Sequence, residues 1–211
     1  FLINYELGIN TKLLNSKINF NGVLFYSYRE DQQVLISTQT DPSDPNTFSF
    51  LTQNAAEGVN HGLEINMDID INEFVTAFLN LGMLKTEIKN WQSRQDLEGR
   101  AQAHAPKRSY AFGLNWVPTS HTYLAIDFTG KSSFYYSDSH DNKSKSYVLT
   151  NLNLGYVKNN WNYELWARNI FDEYYSVRGF YFGNEAPNFI DTLYERHGDP
   201  RNIGFSIRYD F

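Results

Sequence analysis

The chain has 211 residues, 41% hydrophobic and 17% aromatic, with no cysteine and a formal charge of −6. That length allows one or two domains, the missing cysteines exclude a disulfide scaffold and thiolate zinc sites, and the acidic balance leaves no footprint for nucleic acid. No stretch approaches the roughly 18 consecutive apolar residues of a transmembrane helix and no signal peptide opens the chain, but a membrane barrel stays open because its alternating strands average to polar.

The dominant signal is period-2 alternation, which puts apolar side chains on one face of a strand and polar ones on the other. Ile3, Tyr5, Leu7 and Ile9 alternate with Asn4, Glu6, Gly8 and Asn10. A looser run follows from Ile18 to Tyr28, then a strict one in which Val59, Leu63, Ile65, Met67, Ile69 and Ile71 alternate with Asn60, Gly62, Glu64, Asn66, Asp68 and Asp70. Val75 to Met83 is looser again. Tyr110, Phe112, Leu114 and Trp116 keep one parity, as do Leu124, Ile126 and Phe128, and Leu152, Leu154 and Tyr156. Trp161 to Ala167 alternates with Asn162 and Glu164 on the polar side, and Ile203, Phe205, Ile207, Tyr209 and Phe211 close the chain. Nine strands are predicted, at 2–13, 18–36, 57–71, 74–89, 107–118, 122–136, 146–158, 161–182 and 201–211, with no helical periodicity. They run about 11 to 20 residues, against the ~5–6 usual in soluble strands and the ~9–11 that a tilted membrane strand needs.

Connections alternate strictly between tight and long. Leu14 to Lys17, Asn72-Glu73, Pro118 to His121 and Asn159-Asn160 are tight; 37–56, 90–106, 137–145 and 183–200 are long. An up-and-down barrel with turns on one rim and loops on the other predicts this order. Aromatics gather near strand ends: Tyr26 and Tyr28, Trp91, Trp116, Phe134 to Tyr136, Tyr147, Trp161, Tyr174-Tyr175, Phe180 to Phe182, Tyr209 and Phe211. Girdles at two lipid–water interfaces predict that placement. The expected fold is all-β, a transmembrane antiparallel up-and-down β-barrel, with the apolar parity turned out to lipid.

The run Asn169-Ile170-Phe171-Asp172-Glu173-Tyr174-Tyr175 resembles the N-L-F-D-x-x-Y element of the penultimate strand of TonB-dependent outer-membrane receptors. Gly198-Asp199-Pro200-Arg201 resembles the G-x-P-R that opens their last strand, and Arg208-Tyr209-Asp210-Phe211 their aromatic ending. Weaker echoes are Tyr5-Glu6-Leu7-Gly8, Gly62-Leu63-Glu64 and Ala105-Pro106-Lys107. The resemblance implies an outer-membrane barrel of 22 strands with an N-terminal plug, taking up an iron–siderophore complex, cobalamin or a glycan with energy from the TonB complex. Nine strands are an odd number and bacterial single-chain barrels are even, so residues 1–211 are expected to be the C-terminal part of such a barrel, without plug or TonB-contacting segment. Its edge strands, 2–13 and 201–211, should not pair with each other. With Phe211 at the periplasmic rim, the tight turns are periplasmic and the long loops extracellular. Tyr209 and Phe211 would then be the signal read by the barrel assembly machinery.

No catalytic set is expected. The five histidines, His61, His104, His121, His140 and His197, lie in different loops or strands, and no nucleophile elbow accompanies them. A small outer-membrane hydrolase barrel is the enzyme rival, and a soluble all-β binding domain the structural one. Asp138-Ser139-His140-Asp141 and Asp41-Pro42-Ser43-Asp44 carry cation-ligating groups but read first as solvated loops. No metal or cofactor is expected. The carboxylates Glu6, Glu64, Asp68, Asp70, Asp127 and Glu164 read as a hydrated wall facing the lumen and plug. For a small-molecule ligand the candidates are Arg178, Tyr181 and Phe182 in and beside the last long loop, and Arg94, Arg100 and His104, with Trp91, in the second. Arginine suits anionic siderophores; aromatic rings suit sugars.

Overall fold

A computed structural model describes the chain except for residues 40, 42, 43, 45, 46, 92, 93, 139, 184 and 191, and it leaves the side chains of 32–39 and 48–55 undescribed. The strands are β1 Leu2–Leu13, β2 Ile18–Gln39, β3 Phe48–Asn72, β4 Val75–Trp91, β5 Arg108–Thr119, β6 Thr122–Lys131, β7 Tyr147–Lys158, β8 Trp161–Arg168, β9 Ser176–Phe182, β10 Thr192–His197 and β11 Asn202–Tyr209. Nine form one antiparallel sheet in the order β1-β2-β3-β4-β5-β6-β7-β8-β11, and β9 and β10 form a separate hairpin. No ladder joins β1 to β11, so the sheet is open between them.

Alternation carries through the whole sheet because directly opposed residues share a face. Leu7 faces Leu24, Leu24 faces Leu63, and Leu63 faces Met83. Further along, Leu79 faces Phe112, Phe112 faces Phe128, Leu154 faces Leu165, and Leu165 faces Phe205. One apolar face therefore runs unbroken across nine strands. Among the described residues no second sheet packs on it: the strands of the sheet touch only their sheet neighbours, save β4, which also meets the 3-10 turn at Gln95–Leu97 near Ile88 and Trp91. Leu7 stays 72% exposed and Ile203 62% exposed, so this face has no protein partner here.

The opposite face is polar, and its largest rings lie over glycines. Phe78 covers Gly113 across β4–β5, and Trp166 covers Gly204 across β8–β11 while its Nε1 donates to Ser206 Oγ at 3.1 Å. A Cβ on either glycine would run into the ring, so these mid-strand glycines serve close approach.

The tight turns sit where alternation breaks. Leu14, Asn15 and Ser16 take three successive left-handed φ values of 51°, 56° and 68°, closed by Lys17 N–H donating to the Leu14 carbonyl at 3.2 Å. The small core lies at the other end of the strands: Ala56, Ile88 and Trp91 pack with Leu97 from a 3-10 turn at Gln95–Leu97.

Four expectations need correction. The strand expected at 122–136 ends at Lys131; Phe134 and Tyr136 are buried within the loop that follows it and Trp91 in the small core, so none is a girdle residue. The strand expected at 161–182 breaks after Arg168, because Asn169 and Asp172 take left-handed φ values of 48° and 55° and turn the chain out of the sheet. The long connection expected at 183–200 contains β10, which pairs with β9. The one expected at 37–56 is largely strand, with β2 reaching Gln39 and β3 starting at Phe48.

Candidate ligand-binding surface

The two elements Asn169–Tyr175 and Gly198–Arg201 close on each other. Asn169 is buried; its Nδ2 donates to the carbonyls of Glu173 (2.9 Å) and Asp199 (3.1 Å), and its Oδ1 accepts from Glu173 N–H (2.8 Å). Asp172 Oδ1 accepts from Arg201 N–H at 2.8 Å, and Gly198 N–H donates to the Tyr175 carbonyl at 3.0 Å. This clasp returns the chain to β8 so that β11 can pair with it, and it holds the base of the β9–β10 hairpin.

The hairpin has two unlike faces. One packs on the loop 132–146. The Tyr136 ring covers Gly179, its hydroxyl donates to Glu195 Oε1, and Ser176 Oγ donates to the same oxygen at 3.0 Å. Burial and then the bond to Glu195 push the Tyr136 hydroxyl up to about 12, while the same bond lowers the Glu195 carboxyl, so the pair stays tyrosine and carboxylate at neutral pH. His140 stacks on Tyr181, with centroids 3.6 Å apart and planes 8° from parallel.

The other face is exposed. Arg178 stands directly opposite Arg196, and Phe180 opposite Tyr194, their rings stacked at 5.6 Å. Phe182, 49% exposed, continues the row of Arg178 and Phe180. Two like charges directly opposed across a strand pair are destabilising unless an anion lies between them.

The other candidates are held differently. Arg100 Nη1 meets Asp141 Oδ1 at 2.6 Å, its Nη2 donates to the His140 carbonyl, and its guanidinium lies 4.0 Å over the Tyr135 ring. It thereby builds the loop on which Tyr181 rests, and its charge is balanced. Arg94 forms a two-pronged pair with Asp96, Nε to Oδ1 at 2.9 Å and Nη2 to Oδ2 at 2.8 Å, apart from the hairpin. His104 lies against Phe134 at 5.5 Å, its N–H donating to the Tyr135 carbonyl. Tyr209 packs on Trp161 at 4.8 Å, and Phe211 meets Tyr209 edge-on at 5.1 Å. The structure thus gathers Arg178 and Phe182 on one face, supports Tyr181 through the loop that Arg100 braces, and leaves Arg94 and His104 elsewhere. Sequence reading missed Arg196, Phe180's partner Tyr194, and Glu195. The only signal for them is the register of a strand inside a long loop.

In the acidic loop, Asp138 Oδ1 accepts from Ala103 N–H at 2.6 Å and Asp141 Oδ1 pairs with Arg100; Ser139 lies outside the described residues. Pro42 and Ser43 of the other acidic run also lie outside them. Ser176 does come within 3.3 Å of His197 Nδ1, but its proton goes to Glu195, and His197 Nε2 is taken by the Tyr174 hydroxyl at 2.7 Å.

A family model described as TonB dependent receptor-like, beta-barrel matches residues 2–170, chiefly the alternating strands rather than the C-terminal motifs. The fold is similar to that of the ferric yersiniabactin uptake receptor FyuA from Yersinia pestis, with TM-score 0.80 and 17% identity over 100% of this chain and 30% of that one. It is similar to the siderophore receptor PiuA from Acinetobacter baumannii, with TM-score 0.78 and 15% identity over 99% of this chain and 28% of that one. It is similar as well to the copper transporter OprC, with TM-score 0.76 and 14% identity over 100% of this chain and 32% of that one. The chain spans less than a third of the length of each of these three proteins. An open nine-stranded meander with one uncovered apolar face is thus a portion of a larger barrel, and by the match over residues 2–170 the chain belongs to the TonB-dependent receptor β-barrel family.

Proposed function

We propose that residues 1–211 are the C-terminal part of the barrel of a Gram-negative outer-membrane receptor that takes up an anionic iron–siderophore complex with TonB-derived energy. The apolar face contacts lipid, the polar face lines the lumen, the tight turns are periplasmic, and the β9–β10 hairpin is extracellular. TonB is engaged through a plug region outside this chain. The observation that carries the ligand class is the exposed Arg178–Arg196 pair beside Phe180, Tyr194 and Phe182. It offers two guanidinium forks and a ring surface to an anion with aromatic groups. FyuA and PiuA, named as receptors for ferric yersiniabactin and for siderophores, support that class.

The test uses the full-length receptor in cells lacking their own siderophore receptors, with radio-iron uptake as the readout. Replacing both arginines (Arg178→Gln with Arg196→Gln) should lower uptake of an anionic ferric tris-catecholate by about tenfold or more, since charge-assisted bonds are worth ~1.5–3 kcal/mol each. Uptake of a neutral ferric hydroxamate should change little. Equal uptake by the variant and the unmodified receptor, or uptake of cyanocobalamin alone, would sink the reading.

The terminal strand is the proposed assembly signal. Phe211 is fully exposed and shares the lipid face with Tyr209, at the depth where amphipathic rings are favoured. Edge-strand pairing would let the assembly machinery read β11, with side-chain parity setting the register. Deleting Phe211 from the full-length receptor should sharply reduce heat-modifiable, protease-resistant barrel in outer membranes. Tyr156→Ala, another lipid-face aromatic, should have little effect. Equal, mild losses would leave Phe211 as one more girdle residue.

A further inference from the structure

The β9–β10 hairpin forms a sheet of its own, so among the described residues no strand ladder ties it to the nine-stranded wall. The clasp fixes only its base. The rest of the hairpin is reached from the wall through two loops in series. Residues 99–104 lie along β4: Gly99 N–H donates to the Ile88 carbonyl at 2.8 Å, Ile88 N–H to the Arg100 carbonyl at 2.9 Å, and Gln102 N–H to Thr86 Oγ1 at 2.9 Å. Ile88 and Thr86 are both buried, so this segment is anchored in the wall. It holds the loop 132–146 in turn, with Ala103 N–H donating to Asp138 Oδ1 at 2.6 Å and His104 N–H to the Tyr135 carbonyl at 2.9 Å.

Arg100 is the joint between the two loops. Its guanidinium makes three unlike contacts at once: the Asp141 carboxylate at 2.6 Å, the His140 carbonyl, and the face of the Tyr135 ring at 4.0 Å. Only 15% of the side chain is exposed, so these contacts are largely shielded from water. A planar fork can serve all three, whereas an ammonium is a point charge. The loop that Arg100 holds then meets the hairpin beyond its base. Tyr136 covers Gly179 and bonds Glu195 halfway along, and His140 stacks on Tyr181 near the far end. From Ser176 to Tyr181 the strand advances five residues, about 17 Å at the usual rise. A hairpin held at its base, its middle and its far end keeps no free hinge over that length.

We propose that this series of contacts is a rigid bracket, and that Arg100 and His140 are positioning residues for ligand capture. Neither touches the ligand. They hold the far half of the hairpin so that Arg178, Arg196 and the rings beside them form a finished surface before the ligand arrives. A surface that is aligned only part of the time binds with an affinity reduced by that fraction, and ordering it on binding costs affinity again. The role in capture rests on the ligand surface proposed above; the bracket itself does not.

Two readouts on the full-length receptor test it. The first is the distance between nitroxide labels at Thr192→Cys, on the open end of β10, and Lys131→Cys, at the end of β6, measured by pulsed electron paramagnetic resonance. Without ligand the distance distribution should be narrow, and an anionic ferric tris-catecholate should leave its centre in place. Arg100→Gln should broaden it. The second readout is uptake of the same complex against its concentration. Arg100→Gln should raise the half-saturating concentration by about fivefold to tenfold, as for a surface aligned a fifth to a tenth of the time, with the maximal rate unchanged. His140→Ala should act in the same direction, and His140→Phe, which keeps a ring on Tyr181, should restore most of the affinity. Arg94→Gln, in the same loop but paired with Asp96, should move neither readout. A folded Arg100→Gln receptor with a narrow distribution or an unchanged half-saturating concentration would overturn the proposal. So would a lower maximal rate alone, which marks lost receptor, or a centre that shifts when ligand is added to the unmodified receptor, which marks a moving lid. If Arg100→Gln does not reach the outer membrane, the two His140 variants decide by the same readouts. If the tris-catecholate is not carried at all, the ligand reading falls and the distribution without ligand still decides the bracket.

Discussion

Ile65→Arg in the full-length receptor is expected to cost about 2–4 kcal/mol of stability, the penalty for a basic side chain on the lipid face near the bilayer midplane. Ile65 lies on the apolar face between Gly22 of β2 and Leu81 of β4. It is six residues from Ile71 near the tight-turn rim, a climb of about 14 Å at the usual rise and tilt, roughly half of the ~25 Å apolar band. No described element packs over it, so a guanidinium there has lipid, and no protein carboxylate, for company. Asn66, the next residue, faces Asn21 and Asn80 on the polar side. Asn66→Arg should shift stability by no more than ~0.5 kcal/mol, as for a hydrated surface site. Urea unfolding in phospholipid vesicles measures both. Equal costs, or a larger cost at Asn66, would mean that the faces are assigned the wrong way round.

The contrast between these neighbours was legible in the sequence, because parity is a local property and the register then propagates it across β1 to β11. The four tight turns were legible for the same reason: alternation stops there and restarts in the opposite direction. The hairpin was not. Phe171, Tyr174 and Tyr175 make 161–182 look like one long strand, whereas the break depends on Asn169 and Asp172 bonding to backbone up to 30 residues away. Within the hairpin, Arg178, Phe180 and Phe182 share a parity and could be grouped on sight. Arg196 could not be added, because its place opposite Arg178 depends on pairing with a short strand that lacks apolar alternation. Arg100 carried the reverse error. Its residue type suggested a free anion-binding charge, but Asp141, 41 residues on, already balances it. Charge is visible in a sequence; its long-range neutralisation is not.

The clasp yields the second large effect. Asn169→Ala is expected to cost about 3 kcal/mol from three lost side-chain hydrogen bonds at ~1 kcal/mol each. A further ~1 kcal/mol comes from putting alanine at the left-handed φ of 48°, which asparagine tolerates. Asn169→Gly separates the two contributions: glycine takes the φ without strain but makes none of the bonds, so it should recover only the smaller part. Asn169→Asp keeps the acceptor for Glu173 N–H yet turns a carboxylate oxygen toward the carbonyls of Glu173 and Asp199, and should do no better than glycine. The loss should be local first. With the clasp open, segment 169–201 should become susceptible to protease while β1 to β7 stay protected in the heat-modifiable barrel. If the two motifs act as one device, Asp172→Ala, which releases Arg201 N–H, should add little on top of Asn169→Ala. Simple additivity of the two, or protection of 169–201 in the single Asn169 variant, would show that the segments are held by strand pairing alone.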